Sequence, residues 1–129
     1  MDFCKIVFRA SQVLDDLIDG DQLTAVAVIN TFWEIMIDLP RNSFYRQHVD
    51  TLVPIMQVFL QDWEDATNLE KQGDHEKNIA FVLRDTVGGI VIHVAGLVGG
   101  REWARQIAVS VRQHIHEDTL DEYKEGLSK

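Results

Sequence analysis

Aspartates cluster near the end of the first predicted helix, at Asp15, Asp16 and Asp19. Residues three or four positions apart lie on the same face of a helix, so Asp15 and Asp19 are one turn apart, and Asp16 and Asp19 are also neighbours. Carboxylates at this spacing can share a hard cation such as Mg²⁺, which in turn binds phosphate oxygens. The alternative is a solvated helix face, because the apolar stripe of this helix is centred opposite the aspartates.

A second acidic pair, Asp62 and Asp65, lies on a later predicted helix. Asp62 borders the apolar stripe around Trp63, so its carboxylate either reaches a cleft or points into water. If the fold brings the two helices together, the four carboxylates supply the oxygen ligands that Mg²⁺ prefers. The sequence therefore predicts a magnesium site formed by Asp15, Asp19, Asp62 and Asp65.

Asp85 and His93 lie two turns apart along one face of the fourth predicted helix, together with several glycines. Glycine inside a helix costs about 1 kcal/mol relative to alanine, so Gly88, Gly89 and Gly96 need a physical reason. Either another helix packs closely against them, or a ligand approaches the backbone. The second alternative predicts a polar cleft in which Asp85 and His93 are catalytic and Arg84 binds the substrate.

The Asp15-Asp16-Leu17-Ile18-Asp19 segment resembles the first aspartate-rich motif of trans-isoprenyl diphosphate synthases. That resemblance implies that Asp15 and Asp19 hold magnesium ions that bind a diphosphate. In size, and in the spacings Asp16/Asp19 and Asp62/Asp65, the chain is similar to all-alpha nucleoside triphosphate pyrophosphatases. Through Asp15–Asp21 and Leu39–Tyr45 it also looks like small, uncharacterised proteins of tailed bacteriophages, which implies an origin and no activity.

The composition indicates one soluble globular domain over residues 1–129, because 46% of the residues are hydrophobic. The single cysteine, Cys4, has no partner for a disulfide within the chain, which favours a reducing cytoplasm. The net charge of −9 disfavours binding to nucleic acid and to anionic membrane surfaces. The charge either keeps the protein soluble or gathers carboxylates for cations or a basic partner.

Hydrophobic periodicity predicts an all-α bundle of about five main helices. Their expected ranges are about 3–19, 22–38, 50–72, 74–98 and 101–118, followed by a short helix that Thr119 caps. Gly20 is expected to end the first helix, Asp21 to cap the second and Pro40 to end it. Pro54 is expected in the first turn of the third helix, and Gly99-Gly100 is expected to break the chain before the fifth. The fourth helix is apolar nearly all round between Ile79 and Val98, which predicts a central buried helix. It is not a convincing membrane span, because Arg84, Asp85 and His93 interrupt it.

Two functions follow from these features. The first is a Mg²⁺-dependent enzyme or binder acting on a diphosphate, a nucleotide or another phosphate-containing small molecule. The second is a non-catalytic acidic interaction protein, either a homo-oligomer or an inhibitor of a basic protein. Two apolar faces on the second helix support the second function, since one neighbouring helix does not cover both. These faces consist of Ala25, Val28, Ile29, Phe32 and Met36, and of Leu23, Val26, Trp33 and Ile37.

Overall fold

The computed structural model describes residues 3–128, of which 87% are helical and none are in a strand, so the prediction of an all-α fold is confirmed. The elements are α1 (Phe3–Asp19), α2 (Ala25–Trp33), a π-helical turn (Glu34–Asp38), α3 (Leu39–Arg41), α4 (Ser43–Leu69), α5 (Asp74–Leu83), α6 (Thr86–Ile115) and α7 (Leu120–Leu127). Because α2, the π turn and α3 are continuous, the described part of the chain has four long helical stretches. The prediction of five main helices is therefore wrong.

The first helix has the predicted range and stop. Gly20 follows it with φ of 74°, the left-handed conformation that glycine adopts without a steric penalty. Phe3, Ile6 and Val7 are buried on its apolar side, and the ring of Phe3 stacks on that of Tyr45 at 5.9 Å. The N-terminal half of the apolar stripe therefore holds this part of the fold together.

The second helix begins later and ends later than its sequence pattern predicts. Thr24, and not Asp21, is its N-cap, because the Thr24 hydroxyl accepts a hydrogen bond from the Ala27 amide at 3.1 Å. Pro40 does not end the helix. A widened turn in which the Leu39 amide bonds to the Glu34 carbonyl precedes Pro40, and the chain stays helical to Arg41.

The third predicted helix also begins earlier. It starts at Ser43, after Asn42 accepts a hydrogen bond from the Tyr45 amide, and it ends at Leu69. His48 has non-helical dihedral angles (φ −115°, ψ 18°), so the helix is kinked there. Pro54 therefore lies inside the helix, in the second turn after the kink, and not in the first turn of a helix that starts at residue 50.

The predicted fourth helix is not continuous, because α5 ends at Leu83 and α6 begins at Thr86. It is buried on one side only. Ala80, Ile90 and Ala95 are buried, whereas Val82 and Val98 are exposed. A fully buried central helix is therefore not what the structure shows.

The chain reverses direction at Gly100, whose dihedral angles (φ 85°, ψ 172°) lie outside the helical range. A continuous helix would hold Asp85 and Arg112 about 40 Å apart at 1.5 Å per residue, yet their side chains are 2.6 Å apart. A Cβ added to Gly96 would lie 3.9 Å from the Cβ of Ala104. Thus α6 consists of two antiparallel arms, residues 86–99 and 101–115, and the predicted break at Gly99-Gly100 is found.

The packing of these two arms explains one glycine of the helix, Gly88. A Cβ on Gly88 would lie 2.7 Å from Asp85 Oδ1 and 3.4 Å from the side chain of Ile115. The second arm therefore packs against the backbone of the first, which is the helix-packing alternative of the sequence analysis.

By length and composition, one helical stretch within Asp74–Leu127 is apolar enough to cross a membrane, with 22% of its most apolar window buried. The break after Leu83 and the reversal at Gly100 divide this stretch. Each arm of α6 spans roughly 20 Å at 1.5 Å per residue, which is shorter than a hydrocarbon core of about 30 Å.

The last helix, α7, begins with the predicted cap. Thr119 and Glu122 form a reciprocal capping box, in which each side chain accepts a hydrogen bond from the backbone amide of the other. Lys124 then pairs with Asp74 of α5 at 2.8 Å, and its hydrogen bond and charge lower the pKa of the Asp74 carboxyl.

The described residues divide into two compact units, with the boundary inside α4 directly after Pro54. The core of the first unit contains Phe3, Ile6, Val7, Leu39 and Leu52, and that of the second contains Phe59, Trp63, Ala66, Ala80, Val87, Ile90 and Ala95. The prediction of a single domain over residues 1–129 stays a prediction.

Candidate functional site

Three aspartates lie in the last two turns of α1, and Asp15 follows the buried Ser11 by one turn. Asp15 and Asp16 are half-buried and Asp19 is exposed. Asp15 and Asp19 each already take part in an interaction with another group. A cation at this position would therefore have to displace or join existing contacts.

In the second unit, the two predicted metal ligands have separate partners. The carboxylate of Asp62 accepts a hydrogen bond from the hydroxyl of Thr86, whereas Asp65 accepts one from the side chain of Gln61 at 2.9 Å. Within residues 3–128 no three His, Cys, Asp or Glu side chains form a group able to hold a metal ion. The magnesium site stays a prediction of the sequence.

Arg84 lies at the junction of α5 and α6 and forms a largely buried ion pair with Glu70, just after the end of α4. Its guanidinium group also lies 4.4 Å from the centre of the Trp63 ring, a cation–π contact. Burial alone would lower the pKa of Arg84, but the hydrogen bond and the charge of Glu70 outweigh burial and raise it. The Nη2 atom of Arg84 bonds to Glu70, while its Nη1 atom is buried without a hydrogen-bond partner among the described residues, so a phosphate here would compete with Glu70 for the charge of Arg84.

Tyr123 of α7 belongs to the same cluster. Burial, followed by the nearby Glu70 carboxylate, raises the pKa of its phenol above the ordinary value of 10.0. A neutral phenol and a paired guanidinium are stable in this environment, so the Glu70–Arg84–Tyr123 group connects α4, α5 and α7.

Asp85 faces the second arm of α6. Its carboxylate accepts a hydrogen bond from Arg112 at 2.6 Å, and His116 Nε2 lies 3.9 Å away. His116 also contacts the ring of Phe81 at 4.5 Å between centroids. Arg112 and His116 therefore hold Asp85 at the open end of the two arms.

His93, the predicted catalytic partner of Asp85, lies near the middle of the first arm. Its Nε2 atom is buried without a hydrogen-bond partner among the described residues. The carboxylate of Asp85 contacts the side chains of Arg112 and His116. The structure therefore brings together Asp85 and the end of the second arm, while the catalytic roles of Asp85 and His93 stay predictions.

The partners of Arg84 and Asp85 at this junction were not predicted from the sequence. Glu70 carries a usable signal, since it lies two turns after Trp63 on one helix face. Arg112 and His116 carry no such signal in the sequence, because only the reversal at Gly100 brings them close to Asp85. Their pairing with Asp85 depends on equal arm lengths about that glycine.

A different feature of the first unit also indicates function. Val26, Ile29, Phe32, Trp33 and Met36 are each between 59% and 66% exposed, and α2 has no buried residue. Their spacing of three and four residues places them along one side of the helix. We call these five side chains the α2 surface. Apolar patches of this kind on soluble proteins mark interaction sites.

Comparison with protein-family models, with curated proteins and with solved structures finds no match for this chain. The resemblances to isoprenyl diphosphate synthases, to all-alpha pyrophosphatases and to bacteriophage proteins therefore stay predictions of the sequence.

Proposed function

We propose that the protein is a non-catalytic helical interaction protein that forms a homodimer through the α2 surface. The observation that carries this proposal is the exposure of Val26, Ile29, Phe32, Trp33 and Met36. Burying large apolar side chains is the main favourable term in most protein association. A second copy of the chain is the occupant that we assign to this surface.

The size of the α2 surface fits a dimer. With about 150–250 Å² for a large side chain, five side chains roughly three-fifths exposed offer about 500–600 Å² per copy. Two copies therefore bury about 1,100 Å² of apolar surface, and the polar rim brings the total into the range of about 1,200–2,000 Å² for specific interfaces. A symmetric pair uses the same patch twice, so no second apolar site is needed.

The net charge of the chain disfavours a lipid membrane as the partner of the α2 surface. A net charge of −9 is repelled by anionic lipid headgroups, which bind basic segments. The helical stretch 25–38, which carries the α2 surface, contains no lysine or arginine. We therefore assign it to protein and not to a lipid surface.

The test compares two aspartate substitutions at exposed apolar positions of similar accessibility. Ile29 lies in the α2 surface and is 64% exposed, whereas Val109 lies in α6 and is 68% exposed. A charge buried without a partner opposes association strongly, so Ile29→Asp weakens the dimer at least about a hundredfold. Val109→Asp dimerises like the unmodified chain. Light scattering over a range of concentrations gives both dissociation constants.

Circular dichroism shows whether each variant is folded, since both substitutions place the same residue on an exposed helix face. Equal dissociation constants for Ile29→Asp and Val109→Asp would overturn the assignment to the α2 surface. A monomeric unmodified chain would overturn the homodimer itself.

A further inference from the structure

The point at which the two arms of α6 meet is exposed on both sides of Gly100. Residues 98–103, which we call the α6 tip, are all exposed, and two of them are large and apolar: Val98 is 71% exposed and Trp103 is 47% exposed. A Cβ on Gly99 would lie 2.5 Å from Cδ1 of Trp103, so the lack of a side chain at Gly99 lets the indole lie against the backbone of the tip. The two arms therefore end in a small, exposed apolar surface.

The charge of this part of the chain differs from that of the whole. The helix α6 contains three arginines and one glutamate, a net charge of +2, whereas the whole chain carries −9. Arg101 and Arg105 follow Gly100 directly and are exposed. Arg105 lies 3.7 Å from Glu102, but both side chains are at least two-thirds exposed, and such surface pairs contribute little. The α6 tip therefore combines arginines with apolar side chains.

The other acidic groups of residues 85–118 lie at the opposite end of the two arms. They are Asp85, Glu117 and Asp118. At 1.5 Å per residue they are roughly 20 Å from the α6 tip. Salt screens the interaction between exposed charges beyond about 10 Å at 0.1 M. The net charge of −9, which predicts no binding to anionic membranes, therefore does not describe the charge at the α6 tip.

From these observations we propose that the α6 tip binds the headgroup region of an anionic lipid bilayer. Tryptophan is stable at this depth, because its ring is apolar and its N–H group is polar. Arginine places its aliphatic stem beside apolar surface while its guanidinium group binds lipid phosphates. Each arm spans roughly 20 Å and the hydrocarbon core about 30 Å, so the tip enters one leaflet and the arms do not cross the bilayer.

The small size of the α6 tip favours a lipid surface over a protein. Its two large apolar side chains expose roughly 200 Å², whereas a specific protein interface buries about 800 Å² per partner. Attachment to a membrane combines a small apolar insertion with attraction to anionic headgroups. The α6 tip lies in the second unit and the α2 surface in the first, so this binding is separate from the proposed homodimer.

Flotation with vesicles of phosphatidylcholine and phosphatidylserine in equal parts tests the proposal. We expect the unmodified chain to float with these vesicles. Val98→Asp lowers the partition coefficient at least about tenfold, because it replaces an inserted apolar side chain with a charge that the lipids repel. Val109→Asp is the matched control and floats like the unmodified chain. Val109 is 68% exposed and lies about 13 Å along the second arm from Gly100, beyond a headgroup region of roughly 5–8 Å.

Paired substitutions of arginine test the electrostatic part of the binding. Arg101→Ala/Arg105→Ala and Arg41→Ala/Arg46→Ala change the net charge equally, and all four side chains are exposed. Each arginine near an anionic surface contributes a factor of about five, so the first pair lowers the partition coefficient about thirtyfold. The second pair changes it by less than about twofold. Equal losses would show that the net charge and not the α6 tip controls binding, and would overturn the proposal.

Tryptophan fluorescence shows which part of the chain enters the lipid. We expect the vesicles to shift the emission to shorter wavelength in the unmodified chain and in Trp33→Phe, but not in Trp103→Phe. The reverse result assigns lipid binding to the α2 surface and overturns the proposal. Absence of flotation, or equal flotation of Val98→Asp and Val109→Asp, also overturns it. Circular dichroism shows that each variant compared is folded.

Discussion

At the residue scale, Arg84 shows how a charged side chain is accommodated inside the second unit. Glu70 neutralises it, and Trp63 covers one face of the guanidinium. Removing one partner of a buried ion pair leaves the other charged and desolvated, which is far more destabilising than removing both. The stability of this unit therefore depends on the pair remaining intact.

We predict that Arg84→Met lowers the free energy of unfolding by about 3–5 kcal/mol, because Glu70 remains buried without its counter-ion. The double variant Arg84→Met/Glu70→Leu regains most of this loss. Arg105→Met is the matched control, since Arg105 is two-thirds exposed and its ion pair is with Glu102 of its own helix; it changes stability by less than about 0.5 kcal/mol. Urea denaturation measures all three, and equal losses for Arg84→Met and Arg105→Met would contradict the account.

The raised pKa of Tyr123 predicts how the stability of the folded protein changes at alkaline pH. Its pKa is raised in the folded state, so its neutral form contributes stability below pH 10, and this contribution is lost as the pH rises above that value. The ultraviolet absorbance of phenolate, after subtraction of the curve for Tyr123→Phe, should titrate above pH 10 in the folded protein and near pH 10 in urea. Identical curves in the two conditions would show that Tyr123 is not buried beside Glu70.

At the scale of elements, the sequence predicts those helix ends and breaks that are determined by interactions between neighbouring residues. The range of α1, its stop at Gly20, the break at Gly100 and the capping box at Thr119 all depend on residues within one or two turns. The break after Leu83 lies beside contacts between distant residues, since Thr86 bonds to Asp62 and Arg84 pairs with Glu70. Periodicity carries no information about those contacts.

The candidate sites show the same difference between local and long-range information. Acidic and imidazole groups are visible in the sequence, but their partners are not. Asp85 was paired with His93 from helical spacing, whereas the reversal of α6 brings it to Arg112 instead. A pairing between distant elements requires knowledge of how those elements pack.

The close packing of the two arms of α6 predicts opposite effects at two glycines. Gly88→Ala places a Cβ 3.4 Å from the side chain of Ile115 in the second arm. The same Cβ lies 2.7 Å from Asp85 Oδ1, and Arg112 restrains that carboxylate, so the substitution should destabilise the protein by about 1–3 kcal/mol despite the better helix propensity of alanine. Gly126→Ala in α7 meets no atom within 4 Å and should stabilise by up to about 1 kcal/mol. Thermal denaturation measures both, and stabilisation by both substitutions would contradict close packing at Gly88.

At the scale of the whole molecule, the magnesium hypothesis makes a separate prediction. If Asp15, Asp19, Asp62 and Asp65 hold a cation, millimolar Mg²⁺ or Mn²⁺ raises the thermal midpoint by several degrees, because a ligand that binds only the folded state stabilises it. Asp15→Asn/Asp19→Asn removes the rise, and the same scan in chelator gives the baseline. No shift with either ion would reject the site.

The proposed function of the protein depends on whether a second copy of the chain covers the α2 surface. An acidic chain with a net charge of −9 repels itself at long range, so association requires a short-range apolar contact of the kind that Phe32 and Trp33 provide. We expect a dissociation constant of about micromolar, which corresponds to a binding free energy of about −8 kcal/mol.

Sedimentation equilibrium of the unmodified chain tests this claim most directly. The chain has a mass of 14.8 kDa. We predict a species of twice that mass at high concentration, which dissociates to the single chain on dilution through the micromolar range. A mass of 14.8 kDa at every concentration would contradict the homodimer.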